Sequence, residues 1–196
     1  MNLTEAHNIL NDKGGSSISW PEHCRQVAKV AKIIAEKVYS EGVDLDVGLC
    51  ERQALLHDIG RSKTHGPLHG WTGFILLKNM GHLDEARGCL SHWIKGRNYE
   101  EMLQEPLWKK SLIDYVFGVY KKKPWSINDA IISFADSSVC HTSIVSIKER
   151  HQDLIKRYGD SAWLRRAAEL AQIHADEISA IIKSPVSNLI EPLYTS

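Results

Sequence analysis

No apolar run in this 196-residue chain approaches the length of a membrane span, so nothing in it points to a transmembrane helix. The start, Met1-Asn2-Leu3-Thr4-Glu5-Ala6-His7, lacks a cationic segment followed by an apolar one and carries no sign of a secretory signal. Neither sign of charge dominates, since 24 basic residues face 24 acidic ones. That balance speaks against a generally basic nucleic-acid binder. Cysteine is sparse and scattered: Cys24, Cys50, Cys89 and Cys140 form no Cys-x-x-Cys pair, which suits neither a zinc knuckle nor a disulfide framework. No repeat or low-complexity tract interrupts the chain, and few segments alternate with the two-residue period of a strand. The expectation is a soluble, cytoplasmic, all-α protein forming one domain over 1–196. A chain this long buries roughly 70% of its unfolded surface and needs no covalent staple.

Histidine is what the chain has in quantity, with ten copies. Several of them fall on patterned helices. Trp20 to Tyr39 is the clearest helix, with Pro21 near its start and Val27, Val30, Ala31, Ile34 and Val38 on one stripe. His23 stands four residues before Val27 and shares that stripe. Asp44 is the expected N-cap of the next helix, which runs to Asp58. That helix ends in Ala54-Leu55-Leu56-His57-Asp58-Ile59-Gly60-Arg61, where an apolar run drives into a histidine and a carboxylate. Further helices are expected over Leu68 to Met80, Leu83 to Ile94, Trp108 to Tyr120, Ser126 to Val139, Ile144 to Tyr158 and Ala162 to Ile182. Leu3 to Leu10 reads as a short helix, Asn11 to Ser17 as a loop, and the tail after Lys183 as irregular.

Metal-capable side chains recur on the apolar faces of these helices: His23, His57 with Asp58, His69, His92 and Asp136. A single inward histidine is an ordinary hydrogen-bonded core residue. Six titratable groups in one core without counter-charge are expensive, because burying polar and charged groups unpaired is costly. A divalent cation is a partner that imidazole and carboxylate share.

The order His, His-Asp, His, His, Asp on successive helices resembles the HD-domain metalloenzymes, helical bundles built around a metal site and mostly phosphohydrolases. His23, His57, Asp58 and Asp136 match the four ligands of that superfamily, and Phe134-Ala135-Asp136 is similar to its last motif. The resemblance covers a core of about residues 20–140, followed by C-terminal helices over about 144–183. His69 and His92 resemble the extra ligands of two-metal subfamilies, in which Asp58 would bridge the ions. Leu68-His69-Gly70 is similar to HD-type diadenosine tetraphosphate hydrolases. His-Asp-Ile-Gly-Arg, with Lys156 to Gly159 near the end, resembles a small, largely archaeal HD group. The chain lacks the adjacent histidine pair and the Gly-Tyr-Pro signature of HD-type cyclic-di-GMP phosphodiesterases.

The resemblance implies two divalent ions (iron, manganese, cobalt, nickel or zinc) and attack of a metal-activated hydroxide on a phosphate ester or anhydride. Asp58 and Asp136 are the expected catalytic carboxylates. Arg61, Lys95 and Arg97 follow the ligand helices and are expected on the open side, where cations suit a phosphate. The expected partner is a small phosphorylated substrate, a nucleotide or dinucleotide polyphosphate, with no membrane and no nucleic acid. His65 falls in a loop near the pocket mouth, whereas His7, His141, His151 and His174 read as surface or helix-face residues. Two other readings share the donor set: an HD-type diiron oxygenase and a non-catalytic nucleotide-sensing module.

Overall fold

A computed structural model describes residues 1–17 and 19–194. Among them are eleven α-helices and one two-stranded hairpin. The helices are α1 (Leu3–Gly14), α2 (Ser19–Ser40), α3 (Val47–Leu56), α4 (His69–Asn79), α5 (Leu83–Ile94), α6 (Tyr99–Leu103), α7 (Lys110–Lys122), α8 (Ile127–Ser137), α9 (Ile147–Tyr158), α10 (Ala162–Ile182) and α11 (Ser187–Ile190). A 3-10 turn (Ile59–Ser62) joins α3 to α4, and β1 (Val139–Cys140) pairs antiparallel with β2 (Ser143–Ile144). The all-α class expected from the sequence is what the chain adopts. No helix of the described residues is long and apolar enough to cross a membrane.

The bundle is built around α2. Its stripe of Val27, Val30, Ala31, Ile34 and Val38 is wholly buried, and α3 and α8 lie against it. On the far side of α3 and α8 runs α5, which α4 flanks in turn, while α10 covers α8. Burying these aliphatic side chains supplies the main drive for folding, at about 25 cal/mol per Å² of apolar surface. Sequence-local caps fix where the helices begin. Ser126 and Asp129 form a reciprocal capping box on α8, and Ser146 and Glu149 do the same on α9.

A buried ion pair locks α5 to α8. Arg87 donates from Nε and Nη2 to the two Asp129 oxygens, both at 2.7 Å, and from Nη1 and Nη2 to the Lys123 and Pro124 carbonyls. Asp129 also accepts from Ser91 Oγ at 2.6 Å. Every oxygen lone pair and guanidinium edge thus has work inside the core, which is the condition for a buried charge to persist.

Several boundaries differ from the sequence reading. α1 continues past Leu10 to Gly14, because Gly15 takes positive φ and its N–H closes on the Asn11 carbonyl. Asp46, not Asp44, caps α3 by accepting from Leu49 N. α3 stops at Leu56, so His57 and Asp58 sit in the turn that follows rather than inside the helix. The stretch from Val139 to Ile144 makes the small hairpin, which delays α9 to Ile147. The tail is not irregular: Val186 and Ile190 are buried, and the latter ends α11.

Candidate metal centre

The turn that ends α3 decides where two of the polar groups point. His57 closes the helix, and its backbone N–H reaches back to the Ala54 carbonyl at 3.5 Å. Gly60 then lets α4 dock flush on the turn, since a Cβ there would collide with the His69 carbonyl and the Gly73 nitrogen. Gly73 returns the favour, because a Cβ on it would meet Cys89 Sγ at 2.9 Å and Gly60 N at 3.0 Å. The backbone-to-backbone approach brings His69 over Asp58.

His23, His57, Asp58, His69, His92 and Asp136 all turn inward to one spot. His57 and His92 rings lie 4.8 Å apart, His23 and His57 5.3 Å, and His69 and His92 5.1 Å. Three of the imidazoles are anchored by main chain. Nδ1 of His23 donates to the His141 carbonyl at 3.0 Å, Nδ1 of His57 to Ala54 at 2.7 Å, and Nδ1 of His69 to Gly66 at 2.8 Å. With the proton held on Nδ1, each Nε2 carries its lone pair into the centre. His92 is oriented alike through Nδ1, which faces Asp136 Oδ2 at 3.4 Å.

These lone pairs meet carboxylate oxygens. His23 Nε2 is 3.2 Å and His57 Nε2 3.7 Å from Asp136 Oδ1. His69 Nε2 is 3.2 Å and His92 Nε2 3.5 Å from Asp58 Oδ1, while His57 Nε2 stands 3.8 Å from Asp58 Oδ2. Buried, and without a hydrogen-bond partner, are His57 Nε2, Asp58 Oδ1, His69 Nε2 and His92 Nε2. Burial pushes His57 down to about 3, against the pull of Asp58, and lowers His92 as well. Neither ring therefore supplies a proton at neutral pH to bind the facing oxygens. Lone pairs confronting carboxylates in a dry site repel unless a cation lies among them, so the residues fit a divalent metal.

Two sets of donors are distinguishable. His23, His57 and Asp136 bring ligand atoms within 4.8 Å of one another, as do His57, Asp58 and His92. Asp58 presents Oδ1 to His69 and His92 and Oδ2 toward His57. The donors are nitrogen and oxygen only. Cys24, Cys50 and Cys89 are buried, and burial raises all three thiols, so they stay protonated beside the site.

The flanking cations take three different positions. Arg61 donates from Nε to Asp58 Oδ2 at 2.5 Å and lines the cleft above the centre. Burial works against its charge, but Asp58 raises its pKa above the usual arginine value. Lys95 adopts a left-handed backbone, φ 54°, and places Nζ 2.7 Å from Asp136 Oδ2 and 3.1 Å from Ser137 Oγ. Burial alone would push the Asp136 carboxyl up; the Lys95 ammonium beside it holds it well below the usual range. Burial opposes ionisation of Asp58 too, yet its carboxyl also lies well below the usual range with the Arg61 guanidinium against it.

Arg97 corrects the expectation of an open-side cation. It is 3% exposed, donates to the Ile94 and Trp163 carbonyls, and stacks 3.6 Å from the Trp163 ring centroid. Burial drops its pKa to about 10. His174 is likewise not a surface residue; it is buried, stacked on Trp125, and donates from Nε2 to the Lys95 carbonyl. His65 does line the cleft.

Two cavities open over the centre, about 230 Å³ and 760 Å³ in volume, and they share Arg61, His69, Trp108, Arg150 and Trp163. The wider one holds His23, Asp58, His65, His141 and Arg157. The narrower one holds His92, Lys95 and Asp136 at its floor, with Trp93, Trp108 and Trp163 in its walls. Sequence reasoning missed Arg150, Trp108 and Trp163. The signal available was the position of Arg150 and Leu154, four residues apart on one face of α9.

A family model described as the HD domain matches residues 21–138, the segment that carries His23 through Asp136. An uncharacterized protein of Methanocaldococcus jannaschii is 33% identical over 161 residues, 81% of this chain and 88% of that protein. A tRNA (cytidine(56)-2'-O)-methyltransferase of Picrophilus torridus is 28% identical over 172 residues, 87% of this chain but 45% of that protein. No solved structure matches.

Proposed function

Since this chain belongs to the HD-domain superfamily of metal-dependent phosphohydrolases, we propose that it hydrolyses a phosphate ester or anhydride, with a nucleotide or dinucleotide polyphosphate as substrate. One observation carries the reading: His23, His57, His69 and His92 aim Nε2 atoms at two buried carboxylates, and those of His57, His69 and His92 have no hydrogen-bond partner.

In this reading His23, His57, Asp136 and Asp58 would hold one ion, and Asp58 with His69 and His92 would hold a second. Divalent ions there supply Lewis-acid charge neutralisation at phosphorus and a nucleophile available at neutral pH. Nitrogen and oxygen donors accommodate iron, manganese, cobalt, nickel or zinc. Asp58 and Asp136 stay ionised well below neutrality, which suits ligation better than proton uptake. Lys95 sits at Asp136 Oδ2, also donates to Ser137 Oγ, and presents its ammonium to the phosphoryl oxygens. Arg61 holds Asp58 and turns its remaining guanidinium edge to the cleft, where it binds a phosphoryl oxygen. Arg150 lines both cavities and adds a second guanidinium, which the sequence reading did not include.

The test is metal analysis of anaerobically purified protein, followed by a phosphate-release screen with added Mn²⁺, Fe²⁺ or Co²⁺. Wild-type protein should approach two ions per chain, and His69→Ala or His92→Ala about one. Release of phosphate or nucleotide supports the proposal. Oxygen uptake coupled to substrate loss, with every phosphate ester intact, refutes it in favour of the oxygenase reading. Protein that never exceeds one ion, with His69→Ala unaltered, refutes the dinuclear arrangement alone.

A further inference from the structure

The narrower cavity differs chemically from the wider one. Beyond its polar floor, it is walled by Trp93, Trp108, Trp163, Ile147 and Leu154 and closed by Ala168 with its helical neighbours on α10. Of the cations that border it, Lys95 is engaged by Asp136, Arg97 by two carbonyls and Arg61 by Asp58, while Arg150, 3.4 Å from Asp153, also lines the wider cavity.

Its aromatic walls are fixed before any ligand arrives. Trp93 donates from Nε1 to the Pro67 carbonyl at 2.8 Å and meets Trp108 edge-on at 4.9 Å. Trp163 is held by the stacked Arg97 guanidinium. Rigid indole faces favour a planar ring stacked or set edge-on against them. Ala168 leaves the width that a larger side chain would fill.

We propose that this cavity is the binding subsite for the organic part of the substrate, and that it selects a planar aromatic group. Trp108 and Trp163 are its specificity-determining walls. The phosphoryl group lies at the floor beside Asp136 and Lys95, and any further phosphates extend toward Arg150 and Arg157 in the wider cavity. This inference rests on the phosphohydrolase reading for the position of the phosphoryl group. A nucleobase and a simpler aryl group share the chemistry.

Non-hydrolysable phosphonates separate these points. Metal-loaded protein, kept anaerobic, is titrated calorimetrically with methylphosphonate, phenylphosphonate and a phosphonate analogue of adenosine monophosphate. The aromatic ligands should bind about tenfold or more tightly than methylphosphonate, as stacking and ring burial imply. Ala168→Trp, which fills the cavity, should abolish that preference while methylphosphonate still binds and metal content stays at the wild-type level. Trp163→Ala should weaken the preference in the same direction. Stronger binding of the adenosine analogue than of phenylphosphonate identifies a nucleobase, and the reverse identifies a smaller aryl group. Equal affinities for methyl and aromatic phosphonates, or an aromatic preference that survives both substitutions, would overturn the subsite. Binding of no phosphonate at all would overturn the phosphohydrolase reading with it, whereas phosphate release without aromatic preference would overturn the subsite alone.

Discussion

Arg87→Met removes the cation that pairs with Asp129 inside the α5–α8 interface. The methionine fills similar volume, so the loss is mainly electrostatic. Arg87 contributes two donations to Asp129 and two to carbonyls at Lys123 and Pro124. Asp129 then keeps only the neutral donors Ser91 and Ser126, in a position with 0% exposure. Stranding a buried charge in this way costs about 3–5 kcal/mol. For a chain of this size each kcal/mol moves the thermal midpoint by about 2–4 °C, so a fall of roughly 6–20 °C is expected. The double substitution Arg87→Met with Asp129→Leu removes both charges and should recover most of that loss. It should stay about 1 kcal/mol below wild type, because Asp129 also caps α8. Denaturant unfolding of the four proteins, all metal-replete, closes the cycle. A single substitution costing under about 1 kcal/mol, or a double variant as unstable as the sum of the two singles, would refute the reasoning.

Three further outcomes are expected. Chelation should lower the thermal midpoint, and readdition of metal should restore it; metal at 100 times its dissociation constant stabilises by about 2.7 kcal/mol, so an unchanged midpoint would deny a bound ion. Gly60→Ala should force α4 off the turn, separate His69 from Asp58 and lower metal content toward one ion per chain, read by elemental analysis beside Gly118→Ala as a control in open space. Burial holds His174 near 4 against an ordinary value near 6.5, so the unfolded chain binds the proton more readily. Stability from this residue is intact above pH 6.5 and declines toward pH 4, by up to about 3 kcal/mol. Relative to His174→Phe, wild type should therefore lose ground as pH falls through that window, and parallel unfolding curves would refute the assignment.

The helices and the inward positions of His23, His92 and Asp136 were legible because apolar periodicity reports which face of a helix is buried. His57 and Asp58 were legible as a pair but not in their setting. The apolar run before them reads as continuous helix, while the chain leaves the helix at Leu56, where the docking of α4 on Gly60 competes with another turn. Arg97 misled because a cation after a helix end looks solvent-facing; only the position of Trp163, 66 residues away, shows that its charge is folded under an indole. His174 was hidden for the same reason, its partners Trp125 and Lys95 lying far off in sequence. The aromatic cavity could not be read at all, since Trp93, Trp108 and Trp163 come from separate elements whose meeting is a matter of tertiary packing.

The main-chain anchors of the imidazoles bear on when a metal ion can enter. His23 and Asp136 stand 113 residues apart, and His23 is oriented by the carbonyl of His141, which lies farther along still. A nascent chain therefore exposes His57 and Asp58 long before the residues that complete either ligand set have left the ribosome. Two adjacent side chains in a flexible segment hold a divalent ion only weakly, whereas the finished bundle offers oriented, dehydrated donors. In the proposed reading, loading would thus follow closure of the bundle.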